Sequence, residues 1–143
     1  MNKKDFNSEI QVQYCITKAL PPEQVEELYR AEGWIESDSN ADFIQPMLQN
    51  SYAVSAAFYE GRLLGMMRAL SDGVSDAYLL DLVVHKDFRK HGIATEILNR
   101  LKAHLQEKGI DWIVCIGVPG TEDFYHKRSG ATMTGFTPIR FKN

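Results

Sequence analysis

Cysteine is scarce in this chain: Cys15 and Cys115 are the two in 143 residues. They stand far apart in apolar runs, with no Cys-x-x-Cys spacing, which argues against both a disulfide framework and a thiolate zinc site. Two reduced, buried thiols in a reducing compartment are the expectation. Histidines 85, 91, 104 and 126 show no paired ligand spacing, so no metal site is expected. No apolar run is long enough to span a membrane, and none follows the early lysines as it would in a secretory leader. The expected location is the cytoplasm, with no membrane partner. A basic excess is missing too. Sixteen Lys and Arg stand against nineteen Asp and Glu, a net charge of -3, so nucleic acid is not an expected partner. Repeats, low-complexity stretches and Pro/Gly/Ser-rich linkers are absent, and residues 1–143 read as one domain able to bury a core unaided.

What is present is an alternation of strand and helix patterns. Ile10 to Thr17 alternates apolar and polar residues as a strand does. Pro21-Pro22 opens a helix carrying Val25, Leu28 and Tyr29 on one face, and Gly33 closes it. Asp42 to Gln49 is a weaker helical segment, interrupted by Pro46. Two β runs, Tyr52 to Tyr59 and Leu63 to Leu70, join at Glu60-Gly61-Arg62 as a hairpin. Asp72-Gly73 turns into a third run, Ala77 to His85, whose core Leu79-Leu80-Asp81-Leu82-Val83-Val84 is nearly all apolar, as in a central strand. Ile93 to Lys108 forms the longest helix, with Ile93, Ile97, Leu98, Leu101 and Leu105 in one stripe. Ile110 to Ile116 follows as a parallel strand, then a short helix over Thr121 to Arg128. Two terminal strands are expected at Ala131 to Thr134 and Thr137 to Phe141. The class is α/β with a mixed sheet.

The most informative segment is Arg89-Lys90-His91-Gly92-Ile93-Ala94-Thr95, between the buried strand and the start of the long helix. Unpaired N–H groups and the dipole at a helix start make an anion site. Gly92 allows a tight turn and close backbone approach, Ala94 is small, and Arg89, Lys90 and His91 add positive charge. A diphosphate suits this pattern. In the plainer reading Gly92 only eases a turn and the charges are solvated. Neither a Walker A loop nor a Gly-x-Gly-x-x-Gly dinucleotide loop is present.

Arg89-x-x-Gly92-x-Ala94, after Leu82-Val83-Val84-His85-Lys86-Asp87-Phe88, resembles the coenzyme A pyrophosphate loop of the GCN5-related N-acetyltransferases (GNAT). Phe124-Tyr125 followed by Ser129-Gly130-Ala131 is similar to a later motif of that family. Leu28-Tyr29 with Gly33-Trp34 resembles a bacterial subgroup of small-molecule acetyltransferases. The resemblance covers most of the chain and implies a single acetyltransferase domain. It implies a central mixed, mostly antiparallel sheet with one splayed parallel strand pair and about four flanking helices. Two departures stand out. The approach to the Phe-Tyr helix, Gly117-Val118-Pro119-Gly120-Thr121-Glu122, lacks the Asn that many members carry, and Ala131 replaces a usual Phe.

The implied activity is transfer of an acetyl group from acetyl-CoA, as co-substrate, to a primary amine, small or peptidyl, by direct attack in a ternary complex. A non-catalytic acyl-CoA-binding sensor would share the loop without needing Tyr125. The resemblance assigns cofactor contacts to the backbone of Leu82, Val83 and Val84 and to Arg89, Lys90, His91, Gly92, Ile93, Ala94 and Thr95. One strand N–H would polarise the thioester carbonyl. An alkylamine such as lysine has a pKa of about 10.4, so a proton must be removed before attack. Asp81 is the first candidate base, against a purely structural carboxylate. Strand alternation puts Tyr78 and Leu80 on the face opposite Asp81; Tyr78 can support a water relay and Leu80 cannot. Tyr125 matches the tyrosine that protonates the departing thiolate, against a reading as a core aromatic beside Phe124.

Residues 21–50 hold seven acids and one base, whereas 86–108 hold six bases and three acids. The resemblance places the first region by the acceptor and the second by the cofactor, a division that suits a cationic amine and an anionic coenzyme. Trp34 would wall the acceptor pocket by cation–π contact, or else belong to the core. Family members frequently form homodimers, so a homodimer is a further expectation.

Overall fold

A computed structural model describes residues 11–143. In chain order it contains β1 (Gln13–Ile16), α1 (Pro22–Ala31), α2 (Ile44–Asn50), β2 (Ala53–Tyr59), β3 (Arg62–Ser71) and β4 (Asp76–Val84). A 3-10 turn (Lys86–Phe88), α3 (Ile93–Glu107), β5 (Trp112–Cys115) and α4 (Glu122–His126) follow. Of the first expected strand, Gln13–Ile16 is observed, and Ile10 lies outside the described residues. The five strands run in sequence order across one sheet, antiparallel except for the parallel pair β4–β5.

Each sheet face has its own core. Ile93, Ile97, Leu98, Leu101 and Leu105 of α3, the stripe read from the helical period, pack with Leu64, Met67, Ala77, Leu79 and Val84. On the other face Val25, Leu28 and Tyr29 of α1 and Ile44 and Leu48 of α2 cover Val54, Ala56, Leu63, Met66 and Val83. Burying one such Leu or Ile contributes about 1.5–3 kcal/mol, which is why two helical layers hold a sheet whose middle strands expose little. Pro22 sits at the start of α1, where its missing N–H costs nothing. Pro46 does not interrupt α2, for the same reason: it lies in the first turn of a helix beginning at Ile44. The β2–β3 hairpin closes through Glu60 and Gly61, both left-handed at φ 49° and 76°, as a two-residue turn of the kind that matches strand twist.

Two expectations fail. Residues 131–143 form no strand, although Ala131 to Thr134 and Thr137 to Phe141 read as strands. Alternation alone does not make a strand without a neighbour to pair with, and this segment meets none among the described residues. Nor are Cys15 and Cys115 buried: both are free and exposed. They sit on β1 and β5, the outermost described strands, where one side of the backbone has no covering neighbour.

The centre of the sheet departs from regular pairing at one place. Leu80 and Val83 of β4 face Arg68 and Met66 of β3, so three steps along β4 span two along β3. The extra residue is a bulge, and Asp81 adopts φ 60° within it. Beside it, Gly65 lets the backbones close in: a Cβ there would lie 2.6 Å from the Val83 carbonyl oxygen and 3.1 Å from Ile97 Cδ1. Neither neighbour can withdraw without disturbing the bulge or the α3 core. Gly65→Ala should therefore lower stability by about 1–3 kcal/mol, the usual cost of overpacking, read as an earlier urea midpoint with unchanged slope.

Candidate active site

The bulge decides which side chains meet. Regular alternation would turn Asp81 toward α3 with Leu79. The extra residue instead rotates it toward α1, where its Oδ2 accepts the Tyr29 hydroxyl at 2.8 Å and Arg68 Nε at 2.6 Å. The expectation that Asp81 and Tyr78 occupy opposite faces is thus corrected. Leu79 packs into the α3 core, so its neighbour Tyr78 points to the α1–α2 side, the side on which Asp81 now lies. Both members of the Asp81–Arg68 pair are largely enclosed, with side chains 24% and 14% exposed. Burial first, then the Asp81 charge, pushes the Tyr29 phenol far above its ordinary pKa.

Trp34 stacks edge-on against Tyr29, with ring centroids 5.1 Å apart, and remains 39% exposed. It is therefore not a core residue. No site role was expected of Tyr29 or Arg68. Tyr29 stood as an apolar position of a helix and as part of the Leu28-Tyr29 motif. Arg68 carried a signal, being a lone charge in the run Leu63 to Leu70; a charge there requires a partner, and Asp81 on the adjoining strand is one.

Pairing between β4 and β5 covers Asp76 to Leu79 against Trp112 to Cys115 and stops there, while β4 runs on to Val84. From Leu80 onward the two parallel strands are no longer bonded to each other. The β5-facing backbone of Leu82, Val83 and Val84 borders that opening. At its mouth Tyr125 of α4 hydrogen-bonds the Cys115 thiol. Burial, with Cys115 adding to it, raises the Tyr125 phenol to about 12. Burial, with the neighbouring Cys115 and Asp81 adding to it, also raises the Tyr78 phenol. Arg128 anchors α4 onto α3: its Nε donates to Thr95 Oγ1 at 2.6 Å, its Nη1 to the Phe124 carbonyl at 2.7 Å, and its guanidinium lies 3.9 Å over the Phe124 ring.

Beyond β4 the loop turns into α3 through two left-handed residues, Lys90 at φ 65° and Gly92 at φ 78°. Gly92 is the cap of α3, and no side chain caps that helix, so its first-turn N–H groups are presented by backbone alone. A Cβ on Gly92 would meet nothing within 4 Å, so its outer side is open. Ile93 contributes only backbone here, since its side chain is in the core. Arg89 does not point into the open space. Its Nε donates to the Val84 carbonyl at 3.1 Å and its guanidinium pairs with Glu32, tying the loop to the end of α1. Glu26 and Glu27 are likewise paired, with Arg30 and Arg62, so three of the seven acids of residues 21–50 are neutralised locally. Among the described residues no group of His, Cys, Asp and Glu could hold a metal ion, and no helix is long and apolar enough to cross a membrane.

The sheet order, the split parallel pair and the helix-capping loop together have counterparts among known proteins. The profile of the acetyltransferase (GNAT) family matches residues 17–131, and the chain belongs to that family. It is 32% identical over 111 residues to GCN5-related N-acetyltransferase 1, chloroplastic, of Arabidopsis thaliana, covering 76% of this chain and 55% of that protein. It is 27% identical over 105 residues to the N-acetyltransferase ycf52 of Gracilaria tenuistipitata var. liui, covering 71% of this chain and 57% of that protein. The chain thus spans somewhat over half the length of these curated relatives. In three dimensions it superposes on a GNAT-family acetyltransferase from Streptococcus pneumoniae with a TM-score of 0.76 at 18% identity, over 93% of this chain and 98% of that one. This confirms a GNAT fold.

The raised phenols make stability depend on pH in one direction. Tyrosine in the unfolded chain ionises near pH 10. Tyr29 and Tyr125 bind their protons more tightly when folded, so their contribution is complete below about pH 10 and is lost as pH climbs toward about 12 for Tyr125. Urea midpoints measured at pH 8 and pH 11 should fall for the natural chain, and fall less for Tyr29→Phe, whose ring keeps the packing but has no proton to lose.

Proposed function

We propose that the chain transfers an acetyl group from acetyl-CoA to a primary amine, of a small molecule or a peptide, by direct attack within a ternary complex. The observation that carries this reading is the opening between β4 and β5 after Leu79 and Cys115. The start of α3, with no side-chain cap, follows β4 along the chain, and Tyr125 stands beside Cys115 at the end of β5. The N–H groups after Gly92, with Lys90 and His91 beside them, suit the diphosphate of coenzyme A. Ala94 and Thr95 line the same first turn, and Arg89 holds the loop in place. The backbone of Leu82, Val83 and Val84 offers hydrogen bonds to the extended arm, and one N–H facing the thioester oxygen stabilises the charge that forms there.

The amine nitrogen attacks the thioester carbonyl carbon, a C–N bond forms, and the C–S bond breaks as the thiolate leaves. The nitrogen must shed a proton on the way. Asp81 supports two roles: its Oδ2 is committed to Tyr29 and Arg68, and Oδ1 is the remaining acceptor for an ammonium group or a water. Tyr78, on the same face, supports a water path, and Trp34 offers its exposed ring to a cationic acceptor. Tyr125 acts on the leaving group. With a pKa of about 12 it stays protonated at neutral pH, but complete transfer to an alkyl thiolate of about 8.5 runs uphill. Its contribution is a hydrogen bond to the developing sulfur anion, with the final proton drawn from solvent. Two free, exposed thiols fit a reducing compartment such as the cytoplasm.

Calorimetric titration with acetyl-CoA, followed by thiol release with a panel of amines, tests the reading. Binding with release is expected; binding without release from any amine would leave a non-catalytic acyl-CoA sensor as the better account. Gly92→Val should weaken acetyl-CoA binding about tenfold or more while the fold persists, because the left-handed cap is lost but nothing is struck. Tyr125→Phe should lower kcat about a hundredfold and leave the affinity for acetyl-CoA nearly unchanged.

A further inference from the structure

At the bulge a carboxylate and a guanidinium stand side by side, each with one part bonded and another left over. Asp81 Oδ2 takes both Tyr29 and Arg68, while Oδ1 accepts nothing from the described residues. Arg68 gives its Nε to Asp81, and its Nη1 and Nη2 have no hydrogen-bond partner among the described residues. These atoms are not sealed off. Among the described residues the fully enclosed side-chain atoms without a partner are Ser55 Oγ and Glu96 Oε2, so Asp81 Oδ1 and both Arg68 Nη atoms reach solvent. The two side chains are otherwise largely enclosed, so the leftover donors and acceptor open together into one sheltered place.

A ligand that completes this pair must bring a cation to Asp81 and an anion to Arg68. A plain alkylammonium would meet Asp81 but would also lie beside the Arg68 charge, which repels it. A peptide N-terminus has the same difficulty, because the group next to its amine is a neutral amide. A free α-amino acid carries ammonium and carboxylate on one carbon. That spacing suits a carboxylate and a guanidinium already in contact at 2.6 Å. The surroundings suit an apolar body. Met66 packs in the α1 core, and Met67 and Ala69 in the α3 core, so alternation along β3 turns Arg68 and Leu70 to the α1 side. Leu70 is 40% exposed there, opposite Tyr78 in the register of β3 and β4, and Trp34 keeps an open ring against Tyr29.

We infer that the acceptor is a free α-amino acid with an apolar side chain: its amine lies at Asp81 Oδ1, its carboxylate takes the Arg68 Nη donors, and its side chain runs toward Leu70 and Trp34. Arg68 then selects the acceptor as well as bracing the bulge. The inference rests on the acetyl transfer proposed above. The amine nitrogen gains the acetyl carbon as the C–S bond breaks, its proton leaves to Asp81 or water, and the amino acid carboxylate is unchanged.

L-Phenylalanine, L-phenylalaninamide and phenylethylamine test this, since they share an amine and an aromatic body and differ in the carboxylate. Thiol release from acetyl-CoA should give L-phenylalanine a kcat/KM about tenfold or more above the others, and L-leucine likewise above its amide. Calorimetric titration of the same compounds into protein saturated with coenzyme A should show binding of the acid and little of the amide or the plain amine. Arg68→Lys keeps the positive charge but loses the planar fork, and should shrink the acid-to-amide ratio about tenfold. A merely structural loss would lower both substrates and leave the ratio unmoved. If Arg68→Lys does not fold, the comparison of ligands on the natural chain decides. Equal or better turnover of the amide or the plain amine overturns the inference and leaves acetyl transfer standing. Binding of the acid alone, with no release from any amine, upholds the amino acid site and overturns the transfer reading. Neither binding nor release with any amino acid, or a ratio unmoved in folded Arg68→Lys, overturns the inference.

Discussion

The bulge at Asp81 is the feature on which the rest of the site depends. A left-handed non-glycine residue in a central strand costs on the order of 1–2 kcal/mol. It persists because two hydrogen bonds to the carboxylate, from Arg68 and Tyr29, hold it there, and bonds to charged groups contribute about 1.5–3 kcal/mol each. The same bonds join three elements: β4, its neighbour β3, and α1 on the layer above. One extra residue in one strand thus turns a carboxylate out of the α3 core and into the face where Tyr78 and Trp34 lie.

The bulge acts together with a change of partner along β4. Its first half is bonded on both sides, to β3 and β5, which makes it the rigid centre of the sheet. Its second half keeps only β3. The backbone past Leu79 is consequently bonded to β3 on one side, through the bulge, and left unbonded on the other. An extended ligand arm could be recognised there without any side chain being dedicated to it. Gly65 completes this arrangement from the β3 side, since the close approach of the two backbones at Val83 has no room for a Cβ.

Loops around the opening are tied down by cations. Arg89 joins the loop before α3 to Glu32, and Arg128 joins α4 to Thr95 in the first turn of α3. Both arginines act as braces for backbone geometry, so the positive charge of the loop is partly consumed in structure. What stays directed outward is the helix start itself. The proposed anion site, made of backbone N–H groups, would depend on shape more than on net charge, in keeping with a chain that is acidic overall.

Much of this was legible in the linear chain wherever a local rule sufficed. The stripe Ile93, Ile97, Leu98, Leu101, Leu105 follows from the helical period. The turn at Glu60-Gly61 follows from its residue types, and the Arg89-x-x-Gly92-x-Ala94 loop from a glycine placed between a strand and a helix. The side of the sheet on which Asp81 stands was not legible, because alternation has a period of two and one inserted residue reverses every inference beyond it. Nor was the pairing of Arg68 and Tyr29 with Asp81, which are 13 and 52 positions away in the chain. The terminal segment shows the converse: residues 137–141 carry a strand's pattern, but a strand exists only where another backbone offers its hydrogen bonds. Sequence alone therefore determined which segments could be helix or strand and which loop could meet an anion, since these depend on neighbours along the chain. Tertiary structure decided which face Asp81 serves, where β4 and β5 part and which edge stays open, since these depend on groups brought together only by folding.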